Sequence, residues 1–72
     1  MEVFLIRNHI ADLRRQTGLT QKDIADRLGV SRQTIISLEN GRYNPSILLA
    51  HKIAVLFGRQ IEEVFIFEEE NL

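Results

Sequence analysis

The 72-residue chain contains no cysteine, and it has only one proline, four glycines and two histidines. Without cysteine it can form neither a disulfide nor a thiolate metal site. Two histidines alone are too few ligands for a structural zinc site, so we do not expect one. The apolar stretch near the N-terminus is too short for a signal peptide or a membrane span. We therefore expect a cytoplasmic protein with no cofactor, no metal ion, no small-molecule ligand and no membrane partner.

The chain also lacks an excess of positive charge, because its formal net charge is −1. Residues 1–60, however, contain nine basic and five acidic side chains, whereas residues 61–72 contain five glutamates and no basic side chain. A basic body with an acidic tail is compatible with a local phosphate-binding face. The net charge lowers the expected non-specific affinity for DNA without excluding specific binding.

Residues 20–41 predict two short helices joined by a tight turn. Thr20 and Ser31 are suited to capping the N-termini of the two helices, because a hydroxyl can accept hydrogen bonds from free backbone amides. Gly29 and Gly41 are suited to ending them, because glycine adopts a left-handed backbone without steric cost. The apolar positions of this segment fall on one face of each helix, with one more in the turn: Ile24, Ala25, Leu28, Val30, Ile35 and Leu38.

This segment resembles the helix-turn-helix of the Cro/C1-type repressor family, also called the xenobiotic-response-element-like family. The matching residues are Thr20-Gln21, Ile24-Ala25, Leu28-Gly29-Val30-Ser31, Ile35 and Leu38-Glu39-Asn40-Gly41. The resemblance extends from about Asn8 to Phe65. The run GRYNPS, followed by an apolar helix, resembles the small stand-alone members, in which terminal strands pair in a ribbon and help to form a two-fold dimer.

We therefore expect a mostly α, lambda-repressor-like fold in a single domain of residues 1–72, with five short helices and a two-stranded antiparallel ribbon. Helices are expected at about 9–17, 47–57 and 60–65 in addition to the two within 20–41, and strands at about 2–6 and 64–68. Asn8 is expected to cap the first helix, whose inward stripe would be Ile10, Leu13 and Thr17. Ser46 would cap the fourth helix, and its inward residues would be Leu49, Ala50, Ile53, Ala54 and Phe57.

The outward residues near the start of the third helix are the candidate base readers. Arg32 suits a bidentate contact to guanine, and Gln33 suits adenine. Ser37 lies on the same side, and Thr34 could offer its hydroxyl to phosphate or its methyl group to thymine. The alternative is that these residues form a solvated polar face. Ile36, where the family usually has a polar residue, is expected to be an exposed apolar side chain or a contact to thymine methyl or sugar.

The resemblance also implies contacts to the DNA backbone. Gln21 would hold a phosphate at the start of the second helix, where free amides attract anions, with an ordinary exposed glutamine as the alternative. Ser31, at the start of the recognition helix, is also expected to contact DNA. The residues around the following loop would grip the phosphodiester backbone: Asn40, Arg42, Tyr43 and Asn44. The alternative is that these residues serve turn chemistry alone.

Two further groups of residues are expected to be structural. Arg14 and Glu39 carry opposite charges on the inward stripes of the first and third helices, which predicts an ion pair between them, with two exposed side chains as the alternative. Apolar residues in excess of the core stripes predict a homodimer interface, unless the terminal ribbon covers them within one chain. This candidate interface comprises Leu48, His51, Val55, Leu56, Ile66 and Phe67.

The sequence thus favours a DNA-binding transcriptional regulator, specifically a repressor that occupies a near-palindromic double-stranded operator as a homodimer. The alternative is an antitoxin-like protein that binds a protein partner as well as DNA, although few residues follow the last predicted strand. No catalytic arrangement of serine, histidine or paired carboxylates has a suitable spacing, so we do not expect an enzyme.

Overall fold

The computed structural model describes residues 7–67. Within this range the chain forms five helices and a two-stranded antiparallel sheet, which confirms the expected fold class. The elements follow in the order β1 (Arg7–Asn8), α1 (Ile10–Thr17), α2 (Gln21–Leu28), α3 (Arg32–Glu39), α4 (Ile47–Phe57), α5 (Ile61–Val64) and β2 (Phe65–Ile66). In this part of the chain, no helix is long and apolar enough to span a bilayer.

The predicted helix caps account for the boundaries of α2 and α3. The Thr20 hydroxyl accepts a hydrogen bond from the Asp23 amide at 3.0 Å, and the Asp23 carboxylate accepts one from the Thr20 amide at 2.9 Å. Ser31 caps α3 with a single bond of this kind, in which its hydroxyl accepts from the Thr34 amide at 3.1 Å. Gly29 has a φ of 71°, which lets the chain reverse between the two helices at a position where a side chain would be strained.

The beginning of α1 differs from the prediction. The helix starts at Ile10 rather than at residue 9, with His9 in the capping position and no side-chain capping bond from it. Asn8 still supplies a cap, because its Oδ1 accepts a hydrogen bond from the Ile10 amide at 3.1 Å. The expectation that Thr17 faces inward is wrong: it is exposed, and its hydroxyl donates to the Arg14 carbonyl at 2.8 Å.

The terminal ribbon is antiparallel, with Arg7 opposite Ile66 and Asn8 opposite Phe65. The predicted strand at 2–6 lies outside the described residues, as does residue 68 of the other strand. Val64, expected in the last strand, belongs to α5. That helix is shorter than the predicted 60–65, because Phe65 already has an extended backbone with a ψ of 139°.

The buried core joins all five helices to β2. Every predicted inward apolar residue of α2 and α3 is buried, and on α4 Leu49 and Phe57 are only partly buried but pack against the core. Val30, in the turn, is also partly buried against it. The buried residues are Ile10, Leu13, Ile24, Ala25, Leu28, Ile35, Leu38, Ala50, Ile53, Ala54, Val64 and Phe65. This core fixes which face of α3 is left for solvent.

Candidate nucleic-acid interface

The two faces of α3 have opposite environments. Ile35 and Leu38 are completely buried against the other helices. Arg32 and Gln33, in the first turn, are exposed, and neither side chain has a hydrogen bond or ion pair within residues 7–67. Their donors and acceptors are therefore available to an external ligand, at the end of the helix that a recognition helix presents to base edges.

The hydroxyl groups of Ser31 and Thr34, at the start of α3, are already engaged in hydrogen bonds within the protein. Ser31 Oγ accepts a hydrogen bond from the Thr34 amide at 3.1 Å and lies 2.9 Å from Thr34 Oγ1. The pair holds the first helical turn, so neither hydroxyl is fully free for DNA. Ser37 is half-buried. Ile36 is also half-buried, so the expectation of an exposed side chain there is wrong.

Two backbone hydrogen bonds connect the last turn of α3 to the loop that follows it. The Gly41 amide donates to the Leu38 carbonyl at 3.0 Å, and the Arg42 amide donates to the Ser37 carbonyl at 2.9 Å. Gly41 has a φ of 70°, a left-handed conformation that directs the chain away from the helix axis. The predicted backbone-contacting residues of this region are all exposed: Asn40, Arg42, Tyr43 and Asn44.

The structure places Arg14 and Glu39 in direct contact. Arg14 Nε donates to Glu39 Oε2 at 2.7 Å and Nη2 donates to Oε1 at 3.3 Å, and the side chains are only 14% and 7% exposed. Arg14 Nη1 also reaches the Leu19 carbonyl at 3.3 Å. The hydrogen bond to Glu39 raises the pKa of Arg14, with the negative charge of Glu39 adding to the effect while burial opposes it. The pair therefore joins α1 to the last turn of α3.

Gln21 takes part in the same network, which the sequence reasoning did not foresee. Its Nε2 donates to Glu39 Oε1 at 3.0 Å, so α2 is also connected to the end of α3. This contact uses only one hydrogen of the Gln21 side-chain amide. It leaves the other amide hydrogen, the amide oxygen and the backbone N–H of Gln21 for other partners. A phosphate contact from this helix N-terminus is thus compatible with the structural role. Helical spacing within α2 carries no signal of the contact, because the partners are 18 residues apart.

The candidate dimer residues fall into two groups. On α4, Leu48 and Val55 are 61% and 64% exposed, and His51 lies exposed between them. Phe67 is 55% exposed. Leu56 and Ile66 were expected on the same surface, but both are only half exposed: Leu56 packs against the core, and Ile66 lies in the ribbon.

The sequence reasoning missed Ile47, which is 84% exposed and therefore the most exposed large apolar side chain of the described residues. It lines a shallow apolar groove together with Phe67 and the edge of the core. The spacing of positions 47, 51 and 55 along α4 could have identified it, since residues four apart share one helix face. We call Ile47, Leu48, Val55 and Phe67 the apolar surface.

Comparison with known proteins identifies the family. A model of the helix-turn-helix family matches residues 10–64, which is most of the chain and includes all five helices. The chain belongs to the Cro/C1-type helix-turn-helix family. It is therefore a transcriptional regulator with a helix-turn-helix DNA-binding domain.

Individual relatives of this Cro/C1-type regulator agree with the assignment. An HTH-type transcriptional regulator from Methanothermobacter thermautotrophicus is 55% identical over 68 residues, covering 93% of each chain. The transcriptional repressor RstR of the cryptic phage CTXphi, from Vibrio cholerae, is 29% identical over 94% of this chain and 61% of its own. The restriction-modification controller protein C.AhdI from Aeromonas hydrophila has a similar structure, with a TM-score of 0.69 and 27% identity over 76% of this chain and 83% of its own.

Proposed function

We propose that this regulator is a sequence-specific repressor that binds a near-palindromic DNA operator as a homodimer, with α3 in the major groove. The observation that carries the proposal is the pair of exposed, unpartnered side chains Arg32 and Gln33 in the first turn of a helix whose opposite face is fully buried. A buried face keeps the helix in place, while the free side chains can bond to bases.

Each of the two side chains matches the edge of one base. The guanidinium group of Arg32 can donate two parallel hydrogen bonds to guanine O6 and N7. The amide of Gln33 can donate to N7 and accept from the N6 amino group of adenine. Ser37, one helical turn along, is half-buried and can add a single hydrogen bond. These contacts would read sequence.

The phosphate contacts come from both ends of the helix-turn-helix. The N-terminus of α2 at Gln21 offers free amides, and the partial positive charge of a helix N-terminus favours a phosphate. Arg42, in the exposed loop after α3, supplies a full positive charge, and Asn40, Tyr43 and Asn44 supply hydrogen-bonding groups. Such contacts fix the register on the duplex without reading sequence.

The apolar surface supports the homodimer. Four large apolar side chains, three on α4 and one after β2, are each more than half exposed, and exposed apolar residues that lie together mark protein interaction sites. A two-fold dimer would present two α3 helices to half-sites about 34–36 Å apart. Occupancy of a site by the dimer would exclude polymerase, and the name of the relative RstR is that of a repressor.

Selection of bound sequences from a random duplex pool tests the proposal. We expect a symmetric motif with half-sites separated by one helical turn. Arg32→Ala and Gln33→Ala should each relax preference at one base pair per half-site, for about 1–3 kcal/mol. Arg59→Ala, which removes a positive charge from the turn between α4 and α5, should leave the motif unchanged. Enrichment of no motif, or relaxation by Arg59→Ala to the same extent, would refute sequence reading by α3.

The dimer is tested separately by sedimentation. We expect the wild-type chain to sediment as a dimer at micromolar concentration and Val55→Glu to sediment as a folded monomer. Lys52→Glu is a matched control, because it introduces the same side chain at an exposed polar position of α4. If the wild-type chain is a monomer in solution but still binds a symmetric motif, the proposal of a dimer that forms before DNA binding is refuted. Sequence recognition by α3 would not be refuted by that result.

A further inference from the structure

Asn8 makes two hydrogen bonds that join distant parts of the molecule. Its Nδ2 donates to the Leu38 carbonyl at 2.7 Å, across 30 residues of sequence, and its Oδ1 accepts from the Ile10 amide at 3.1 Å. The residue itself lies in β1, where it is paired with Phe65. One side chain therefore connects the terminal ribbon, the start of α1 and the last turn of α3.

The Leu38 carbonyl that accepts the hydrogen bond from Asn8 lies in the last turn of α3, just before the loop. Leu38 is completely buried, and its carbonyl oxygen also accepts the hydrogen bond from Gly41 that helps to end the helix. A carbonyl has two lone pairs, so Asn8 and Gly41 together can use both. The exposed loop with Arg42 begins immediately afterwards. A movement of Leu38 would therefore displace both the helix and the loop.

Asn8 and Arg14 bind adjacent residues of α3, because Asn8 bonds to Leu38 and Arg14 pairs with Glu39. Arg14 attaches α1 to α3 through the side chain of Glu39. Asn8 attaches to the backbone of Leu38 itself, so its hydrogen bond fixes the α3 backbone without an intervening α3 side chain. We propose that Asn8 is a positioning residue for DNA recognition, which sets the orientation of α3 and the following loop relative to the rest of the fold. The inference rests on the proposed reading of DNA by α3.

The test uses Asn8→Asp, which keeps the shape of the side chain and the acceptor for the Ile10 amide. It removes the donor to Leu38 and places a carboxylate against a carbonyl oxygen. Gln16→Glu is the matched control, since it makes the same amide-to-carboxylate change at an exposed position of α1. Both variants add one negative charge, so they should lose non-specific affinity equally. Affinity is measured for the selected motif and for an unrelated duplex at the same salt concentration.

We expect Asn8→Asp to bind the motif roughly tenfold more weakly than Gln16→Glu does, a change of about 1.4 kcal/mol, with equal affinities for the unrelated duplex. Amide hydrogen exchange at Gly41 and Arg42 should be faster in Asn8→Asp only. Equal motif affinities of the two variants, or unchanged exchange, would overturn the proposal. Unfolding of both Asn8→Asp and Asn8→Ala at the assay temperature would assign Asn8 to stability instead. Failure of the wild-type chain to select a motif would refute the proposed function, whereas the exchange measurement tests Asn8 without DNA.

Discussion

Removing one partner of the Arg14–Glu39 pair should destabilise the fold strongly and unequally. The pair is largely shielded from solvent, and breaking a fully buried pair costs about 3–5 kcal/mol because the remaining charge loses its partner away from water, which sets the upper limit here. In Arg14→Met, Glu39 keeps the hydrogen bond from Gln21, so the cost should be near the lower end of that range. In Glu39→Leu, the guanidinium keeps only the Leu19 carbonyl at 3.3 Å, so the cost should be near the upper end.

The double variant Arg14→Met/Glu39→Leu should be more stable than either single variant, because it leaves no unpaired charge and keeps the apolar volume. Thermal unfolding measures this: for a domain of this size, 3 kcal/mol corresponds to a decrease in Tm of about 12–24 °C. Lys22→Ala is the control, since Lys22 forms an exposed pair with Asp26 at 2.9 Å and its loss should not change Tm measurably. If the losses of the two single variants simply add in the double variant, the pair is not coupled as the geometry indicates.

Three further predictions concern charge, pH and backbone. Arg42→Gln should reduce the slope of log affinity against log salt by about one in gel-shift titrations, because one phosphate contact is lost; an unchanged slope would remove Arg42 from the interface. Hydrogen bonds from Thr20 lower the pKa of Asp23, so its stabilisation is present above the ordinary value of 3.8 and is lost as pH falls through the depressed value. Asp23→Asn should therefore flatten the acid limb of a stability-against-pH curve, and an identical limb would contradict the capping box. Gly29→Ala should lower stability by about 1–2 kcal/mol through backbone strain alone, since an added Cβ meets nothing within 4 Å; an unchanged chemical-denaturation midpoint would count against it.

The caps of α2, α3 and α4 and the exposed face of α3 could be predicted from local patterns, whereas the expected overall fold came from the family resemblance. Hydroxyl caps at Thr20, Ser31 and Ser46 act over three residues, and glycines at Gly29 and Gly58 act at single positions, so the sequence around each determines the helix ends. Apolar periodicity then determines which side of α2 and α3 faces the core. The exposure of Arg32 and Gln33 follows from the same periodicity.

Local patterns failed where the exposure of a side chain depends on how the rest of the fold covers it. Thr17 lies on the predicted stripe of α1, yet it is exposed because the chain turns away at Gly18. Leu56 is drawn toward the core by α4 packing, and Ile47 is left exposed, although both are apolar residues of one helix. Helical spacing places Ile47 on the face of α4 that also carries His51 and Val55, but how far Thr17 and Leu56 are covered depends on which neighbouring element packs over each position.

The sequence by itself determined the ends of α2 and α4, the start of α3, which helix faces are apolar, and the exposure of Arg32 and Gln33, because these properties depend on neighbours within one or two turns. Only the tertiary structure decided how α3 is held: Asn8 meets Leu38 across 30 residues, and Gln21 joins the Arg14–Glu39 pair across 18. Such contacts form only after the core has brought separate helices together, since hydrogen bonds require specific distances and angles that no helical period encodes.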